Sequence, residues 1–423
     1  MSANALLAIH GGTPARAQTD AWVRPGGMML GEEEKRAVLE AMEHQNLNRF
    51  QGRTTPGPSK VAQFEGAFAR HKGTRHAVAV TSGTAALITS LVAVGVGPGD
   101  EVIIPTFTYI ASAGATVAAR GIPVLCEIDD SLTMDPLDLE KRITPRTKAI
   151  MPVHMDGVPC DMDAIMRVAK AHSLRVVEDT AQANGGSFRG RRLGAFGDAG
   201  AYSLQINKII TAGEGGIVVC DDDELYHRAW VYHDGGGTYA RFGDIVEPFF
   251  GDNYRMNELT GAVALAQLGK IDGIVAAMRA RKATIKEALS GINGLTFRRL
   301  NDAEGDTGVS IVFLLEGPDL ALRFAEAVRA ENIGAFVEYD PARVDWHIYA
   351  HWSILLQKKV PTPEGCPFNC PFYQGQAEYT ADMCPQSLGY LGRAVHLQVN
   401  PLWTPKDVDE VIHGLTKVAK ALL

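Results

Sequence analysis

Short apolar runs alternate with helix-like segments between about residues 76 and 220, and this alternation constrains the fold more than any other feature. The runs are apolar throughout, as in strands that are buried on both faces. They are HAVAV at 76–80, EVIIP at 101–105, PVLCEID at 123–129, KAIMPVHM at 148–155, RVVED at 175–179, and later GAYSLQ and GGIVVC. Such strands, separated by helices, predict an α/β fold with a mostly parallel central sheet flanked by helices.

The pattern changes near residue 271. A helical segment, AAMRARKATIKEALSGI, precedes strand-like VSIVFLL and FVEYD, and the last part of the sequence is an amphipathic helix. We therefore predict an N-terminal extension over 1–30, a large domain over 31–270 and a smaller C-terminal α+β domain over 271–423. No internal repeat interrupts this division.

Charge and composition exclude several classes of protein. The 423 residues carry 41 Lys and Arg against 49 Asp and Glu, a net charge of −8, so nucleic acid and membranes are not expected partners. No apolar stretch reaches the roughly 18 residues of a membrane span, and the first residues lack the features of a signal peptide. The six cysteines are too sparse for a disulfide scaffold. We expect a cytoplasmic enzyme with reduced thiols.

Two short motifs follow predicted strands. Ser82-Gly83-Thr84 lies between a strand and a helix, where backbone N–H groups can bind a phosphate; capping the helix is the alternative role. Asp179 ends the strand RVVED, and ligands bind at the carboxyl ends of strands in open α/β sheets. A carboxylate there can face a cationic ring nitrogen, and a helix N-cap is again the alternative.

Lys208 is the third candidate, because uncharged residues surround it in SLQINKIITAGEGG. A lysine among apolar neighbours suits a desolvated amine of lowered pKa, the state that a Schiff base requires. A lysine that extends its amine to solvent is the alternative. Taken together, a phosphate-binding helix start, a strand-end carboxylate and a sheltered lysine are what pyridoxal 5′-phosphate demands of a protein.

Longer stretches carry a family resemblance over roughly residues 30 to 420. The sequence resembles the DegT family of sugar aminotransferases, within the aspartate-aminotransferase-like (fold type I) group of pyridoxal-phosphate enzymes. The stretches that carry it are VTSGTAAL, GDEVIIPTFTYIAS, ITPRTKAIMPVHMDG, VVEDTAQANGG, GDAGAYSLQINKIITAGEGG and DNYRMNELTGAVALAQL. The resemblance implies a fold type I transferase that uses pyridoxal 5′-phosphate, with pyridoxamine 5′-phosphate formed during turnover.

The resemblance also implies roles for individual residues. Lys208 would be the Schiff-base lysine, and Asp179 would pair with the pyridinium nitrogen. Gln182 would contact the phenolic oxygen of the cofactor, and Tyr109 would stack on its ring. Lys208 and Asp179 are therefore the expected catalytic residues.

Four further residues would contact the phosphate. By resemblance, Gly83, Thr84 and Ser203 hold it within one chain, and Asn253 reaches the phosphate of a neighbouring subunit. Asn253 thus implies a homodimer with shared active sites. Leu204 departs from the family, which usually has Phe after the serine, and the difference concerns packing.

The implied reaction is transamination from glutamate or glutamine to a keto or aldehyde group of a sugar, sugar acid or cyclitol. PVHMDGVPCDMDAI is similar to aminohydroxybenzoate synthases, and DWHIYAHW is similar to aminotransferases that make 8-amino-8-deoxy-octulosonate. We therefore favour an oxidised sugar or sugar acid as acceptor. The alternatives are a dehydratase or aromatase like aminohydroxybenzoate synthase, a sugar dehydratase and a cofactor-binding regulator. Lys208 argues against the sugar dehydratase, whose relatives have histidine there.

Other polar residues are assigned lesser roles. Cys366, Cys370 and Cys384 have poor spacing for metal ligands, so no metal is expected. Trp346-His347 and His351-Trp352 form an aromatic and imidazole cluster that suits either core packing or a polyol substrate. His154 and His233 are expected to be structural, and Gly235-Gly236-Gly237 is expected to be a flexible loop.

Overall fold

A seven-stranded sheet forms the centre of the computed structural model, which describes residues 6–20, 23–45, 47–49, 59–236 and 247–423. Its order is β1-β9-β8-β5-β4-β2-β3. The strands are β1 His76–Val80, β2 Glu101–Pro105, β3 Ile122–Cys126, β4 Thr147–Ile150, β5 Arg175–Asp179, β8 Ala199–Ser203 and β9 Gly216–Cys220; β6 Ser187–Phe188 and β7 Arg191–Arg192 form a separate hairpin. All seven predicted strands are present.

The sheet is parallel except at one strand. β2, β3, β4, β5 and β8 run parallel, whereas β9 is antiparallel to both of its neighbours, β8 and β1. The amino end of β9 therefore lies at the same edge of the sheet as the carboxyl ends of β1, β5 and β8. The prediction of a mostly parallel sheet is confirmed.

Helices cover the sheet because most of them carry apolar residues toward it. They are α1 Pro25–Met28, α2 Glu32–Glu43, α3 Lys60–Lys72, α4 Gly83–Ala93, α5 Ala111–Ala118, α6 Pro136–Arg142, α7 Met162–Ala171, α8 Asp223–His233, α9 Glu258–Leu268 and α10 Ile271–Leu289. α4 is the most enclosed of those near the site: all but three of its eleven residues are buried. Ser82 caps it, its Oγ accepting the Ala85 N–H at 3.0 Å.

A four-stranded antiparallel sheet of order β10-β11-β13-β12 follows. It and the remaining helices comprise β10 Thr296–Phe297, β11 Ser310–Leu314, α11 Pro318–Ala330, β12 Phe336–Val337, α12 Ser353–Leu356, α13 Pro385–Gly392, β13 Ala394–Gln398 and α14 Pro405–Leu422. α10, α11 and α14 pack on this sheet through one apolar cluster that also includes residues of α3 and α9. The predicted boundary at residue 270 falls immediately before α10, and the division into domains remains a prediction.

One segment of the predicted small domain packs on the large sheet. Phe107 and Ile348 form an antiparallel bridge, and the Thr108 and Ile110 amides donate to the carbonyls of His347 and Trp346. Tyr349, Trp352 and Cys384 lie, fully buried, in the apolar cluster of the large sheet. The sequence did not predict this crossing, because an apolar pattern does not say which core a segment joins.

Within the described residues, no single helix is long and apolar enough to cross a membrane. The pair α9 and α10, bent by 49° at their junction, passes the same test by length and composition only.

Candidate active site

Three strand ends meet beside the amino end of β9. Val80 of β1 and Ser203 of β8 both pair with Gly216, and Asp179 of β5 pairs with Ala201 of β8. The residues that follow these strands are therefore brought to one edge of the sheet. In open α/β sheets this edge is where ligands bind.

A narrow cradle lies between α4 and β8. A Cβ built on Gly83 would lie 2.6 Å from the Ser203 Cβ and 2.9 Å from its Oγ, so only glycine allows this approach. Thr84 follows in the first turn of α4 and is exposed. The N–H groups at the start of α4, an eleven-residue helix, thus lie next to the Ser203 hydroxyl. Together with the positive end of the helix dipole, these groups can bind an anion.

Asp179 is a buried carboxylate, 5% exposed, at the same edge. Its Oδ2 accepts the Ser112 Oγ–H at 2.9 Å, and Thr108 bonds Ser112 at 2.7 Å. Its Oδ1 accepts the Ala181 N–H at 3.1 Å. Burial raises the pKa of Asp179, and these hydrogen bonds oppose the shift. A cationic partner would therefore stabilise the ionised form.

The helix-cap reading of Asp179 is wrong. The residues after it, Thr180–Gly186, form turns and no helix. The bond to Ala181 closes an Asx turn, which an aspartate forms with the amide two residues on. Asp179 is thus held at the strand end for a reason other than starting a helix.

Lys208 lies in the loop between β8 and β9 and is half-buried. Burial lowers the pKa of its amine, and nearby carboxylates, of which Asp179 acts most strongly, partly oppose the shift. No described residue forms a hydrogen bond or an ion pair with its Nζ. A lysine amine of lowered pKa, near a carboxylate and without a fixed partner, can act as a nucleophile and carry a proton.

The loop that carries Lys208 is closed at its base. The Leu204 amide donates to the Gly215 carbonyl at 2.9 Å, and the Ala212 amide donates back to the Leu204 carbonyl at 2.9 Å. The Lys208 carbonyl accepts the Gly26 amide at 3.0 Å. The backbone of this loop is therefore fixed on both sides of the lysine.

Gln182 follows Asp179 by three residues, and Tyr109 follows the end of β2 by four residues. The Gln182 Oε1 accepts the Asp156 amide at 3.2 Å. Tyr109 is 48% exposed, and its ring centroid lies 5.2 Å from that of His347, whose Nδ1 bonds the Asp345 carboxylate at 2.8 Å. The predicted aromatic and imidazole cluster is therefore split: Trp352 packs in the core, whereas His347 faces Tyr109.

Asn253 lies two residues before Arg255, which forms a β-bridge with Val80 at the end of β1. Asn253 itself pairs with Asp234 in a β-bridge and lines a cavity of about 160 Å³ that Arg49 and Arg255 also line. In the described chain, no hydrogen bond joins Asn253 to Lys208 or Asp179. The contact of Asn253 with a neighbouring subunit stays a prediction.

Sequence reasoning missed Glu178, which lies fully buried beside Asp179. Its carboxylate accepts the amides of Gly194, Phe196 and Gly197 at 2.6–2.8 Å. It also bonds His154 Nε2 at 3.1 Å, while the Cys160 amide donates to His154 Nδ1 at 3.1 Å. Both nitrogens of His154 are thus engaged, as expected of a structural histidine. A glutamate inside an apolar run was the available signal.

Replacing the fully buried Glu178 by alanine is expected to lower the free energy of unfolding by at least about 3 kcal/mol, because three backbone amides and a buried histidine lose their acceptor. Urea denaturation followed by circular dichroism measures the change. Glu140→Ala, on the exposed face of α6, is the control and should cost at most about 0.5 kcal/mol. A loss below about 1 kcal/mol for Glu178→Ala would contradict the prediction.

The remaining polar candidates do not join the site. Among the described residues, the group that could gather around a metal is Asp156, Glu338 and His396, and it contains no cysteine. His233 is buried, which lowers its pKa to about 3. Gly235 and Gly236 lie in a turn, and Gly237 lies outside the described residues.

Comparison with known proteins shows relatives over most of the chain. A model of the DegT/DnrJ/EryC1/StrS aminotransferase family matches residues 29–364. GDP-perosamine synthase of Caulobacter vibrioides is 46% identical over 59% of this chain and 65% of its own length, just under two thirds. L-glutamine:2-deoxy-scyllo-inosose aminotransferase of Micromonospora echinospora is 34% identical over 79% of this chain and 82% of its own length.

A solved structure confirms the expected fold. The crystal structure of 3-amino-5-hydroxybenzoic acid synthase matches with a TM-score of 0.77 and 26% identity, covering 97% of this chain and 100% of that one. The fold is therefore that of the fold type I aminotransferases, as the sequence predicted. The family model covers 336 of the 423 residues. The chain therefore belongs to the DegT/DnrJ/EryC1/StrS aminotransferase family.

Proposed function

We propose that the protein is a pyridoxal-phosphate-dependent aminotransferase that moves an amino group from glutamate or glutamine to a carbonyl group of a sugar, sugar acid or cyclitol. The observation that carries this proposal is that a buried amine without a fixed partner, that of Lys208, lies within electrostatic reach of the buried Asp179 carboxylate at one edge of the sheet. The names of two relatives support the substrate class, since one makes GDP-perosamine and the other aminates an inosose.

Four features of the site fit the cofactor. The cradle of Gly83 and Ser203 at the start of α4 suits its phosphate. The Asp179 carboxylate, whose pKa burial raises, suits a protonated ring nitrogen. Lys208 has an amine without a fixed partner, and Tyr109 offers an exposed ring face. When bound, pyridoxal phosphate supplies an aldehyde that amines add to and a ring that accepts the electron pair left on a deprotonated carbon.

Each residue then has a defined task. Asp179 keeps the ring nitrogen protonated, and Ser112 fixes the carboxylate that does so. Lys208 would hold the cofactor through its amine, and the same amine, when free and neutral, would take the proton from the donor's Cα and later return it. Tyr109, with its exposed ring, would lie against the cofactor ring.

We propose that Trp346 and His347 contact the acceptor. Both residues follow Asp345 on the segment that pairs with residues 108–110, beside the exposed Tyr109 ring. His347 Nδ1 is engaged with Asp345, whereas no described residue bonds its Nε2. A ring nitrogen and an indole next to the ring-covering tyrosine suit a polyhydroxylated substrate.

The direct test is the first half-reaction. Purified holoenzyme is mixed with glutamate, glutamine or a control amino acid, and the absorbance of the cofactor is recorded. We expect glutamate or glutamine to convert the pyridoxal form to the pyridoxamine form with release of one equivalent of the oxo acid. No conversion by any donor would contradict the proposal.

The acceptor is identified in a second step. The aminated enzyme is mixed with a panel of oxidised sugars, oxidised sugar acids and cyclitol ketones, and return of the pyridoxal absorbance is measured. Mass spectrometry of the product distinguishes simple amination from loss of water. Loss of water with formation of an aromatic amine would favour the alternative, an activity like that of aminohydroxybenzoate synthase.

Asn253 is predicted to complete the site of a neighbouring subunit. If so, mixing Asn253→Ala chains with Lys208→Ala chains gives mixed dimers with one intact and one doubly defective site. At random pairing about a quarter of all sites are intact, so about a quarter of wild-type activity should return. Subunit exchange is checked with a size tag on one chain. Exchange without recovery would show that Asn253 serves its own subunit.

A further inference from the structure

The turn Met155–Gly157 is held by three hydrogen bonds from the second sheet and its connections. The carbonyls of its three residues, in chain order, accept from Arg298 Nη2 at 3.3 Å, Ser310 Oγ at 3.0 Å and the Thr307 amide at 3.0 Å. Each carbonyl in the turn thus has a separate donor, and the orientation of both inner peptide units is fixed.

The backbone in this turn has an unusual conformation. Asp156 has φ 55° and ψ 33°, in the left-handed region, which asparagine and aspartate tolerate better than alanine does. Gly157 follows with φ 79°, and a Cβ there would lie 1.9 Å from the Thr307 Oγ1. The conformation therefore depends on the residue types at both positions.

This conformation aims the Asp156 amide at Gln182. The N–H donates to the Gln182 Oε1 at 3.2 Å. Because a carboxamide has its acceptor and its two donors on opposite branches, this bond turns the Gln182 NH₂ group away from the turn. The turn also lies beside Asp179, since the neighbouring Val153 pairs with that residue in a parallel bridge.

The Asp156 side chain faces buried cations. Its Oδ2 has no hydrogen bond and lies 3.6 Å from both Arg298 Nη1 and His396 Nδ1. His396 Nδ1 bonds Glu338 at 2.6 Å. Asp156, Glu338 and His396 are of the residue types that bind metal ions, but the adjacent guanidinium opposes a second cation in a buried space. The carboxylate thus lies close to these cations, whereas the hydrogen bonds to the three backbone carbonyls hold the turn on the second sheet.

We propose that Asp156 is a positioning residue: its left-handed backbone fixes the Gln182 carboxamide so that the NH₂ group donates to the phenolic oxygen of the cofactor. The inference rests on the proposed function, and it assigns the role to the Asp156 amide rather than to its charge. Asp156 is thus assigned an effect that passes through Gln182 and is not proposed as a catalytic residue.

Two substitutions separate the backbone from the charge. Asp156→Asn removes the charge and keeps a residue that tolerates φ above zero, whereas Asp156→Ala also disfavours that conformation. We expect Asp156→Ala to weaken pyridoxal-phosphate affinity about fivefold, the size of one lost hydrogen bond, and Asp156→Asn to stay within about twofold of wild type. Equal losses in the two variants would overturn the proposal.

A double-mutant cycle tests whether the effect passes through Gln182. Gln182→Ala should also weaken pyridoxal-phosphate affinity about fivefold. The double variant with Asp156→Ala should bind the cofactor no more than about fivefold more weakly than wild type, because both substitutions remove the same contact. A loss of affinity of about 25-fold, the product of the two single effects, would overturn the proposal. So would a Gln182→Ala variant with wild-type affinity.

Two further variants secure the test. Ser173→Ala places alanine at an exposed left-handed residue, φ 54°, before β5 and thus at the far end of the strand from Asp179, and should leave cofactor affinity unchanged. If Asp156→Ala does not fold, Ser310→Ala replaces it, since it removes only the hydroxyl that donates to the Asp156 carbonyl. Ser310→Ala should weaken pyridoxal-phosphate affinity about threefold. Combined with Gln182→Ala, it should add nothing to the loss caused by Gln182→Ala alone.

Failure of the inference can be told from failure of the proposed function. Borohydride reduction of wild-type holoenzyme followed by peptide mapping reports whether the cofactor is linked to Lys208. If the cofactor is linked to Lys208 but the effects of Asp156→Ala and Gln182→Ala are additive, only the role of Asp156 is overturned. If the cofactor is not linked to Lys208, the assignment of the active site is overturned.

Discussion

Replacing Lys208 by alanine is expected to abolish turnover while the fold stays intact. The variant lacks both the amine that attaches the cofactor and the base that moves the Cα proton. It should still bind pyridoxal phosphate through the cradle at Gly83 and Ser203 and through Asp179. Steady-state assay with the best donor and acceptor measures the loss, and circular dichroism checks the fold.

The assignment competes with other buried lysines. Burial also lowers the pKa of Lys72 and of Lys282. Lys72 Nζ, however, donates to Asn184 at 2.6 Å, and Lys282 is paired with Asp306, so neither amine is available. Borohydride label in the wild type should therefore fall on Lys208. Label on Lys72, Lys282 or Lys148 would overturn the assignment.

Changing Asp179 to asparagine is expected to slow the glutamate half-reaction at least about a hundredfold, a barrier increase of ~2.7 kcal/mol. Asparagine keeps the size of the side chain and one oxygen acceptor, so cofactor should be retained. It lacks the charge that keeps the ring nitrogen protonated, and an unprotonated ring accepts electrons poorly. Rapid mixing, with occupancy checked by absorbance, measures the rate.

A matched variant controls for the loss of a local backbone contact. Asp161 accepts the Ala164 amide at 3.0 Å and caps α7. Asp161→Asn therefore removes a carboxylate that bonds the backbone outside the site, and its rate should equal that of wild type. If Asp179→Asn were equally fast, Asp179 would serve only its Asx turn, and the proposed electron-accepting role would be lost.

Much of the large sheet was predictable because its strands are apolar on both faces. HAVAV, EVIIP and RVVED mark β1, β2 and β5 to the residue. The direction of β9 was not predictable, because GIVVC has the same pattern whichever way it runs. Nor was the crossing of residues 345–352 onto the large sheet, since Trp352 is equally apolar in either core.

Part of the candidate site could be proposed from residues that stand out in their local sequence. Asp179, Gln182 and Lys208 could be singled out from strand ends, local polarity and family resemblance. The surroundings of Asp156 could not, because Arg298, Glu338 and His396 lie far along the chain and meet it only through the second sheet. A left-handed backbone at Asp156 likewise has no signal in an isolated sequence, as aspartate adopts that conformation only where its surroundings require it.

The closed base of the Lys208 loop has a consequence for repeated turnover. β8 and β9 are neighbours and their ends are hydrogen-bonded to each other, so the backbone of Lys208 is held in place. In the proposed role, the amine would move only by rotation of its own side chain, so it would stay within one side-chain length of the reacting carbon. The protein would thereby maintain a high effective molarity of base, and of nucleophile for regeneration, without drawing either from solution.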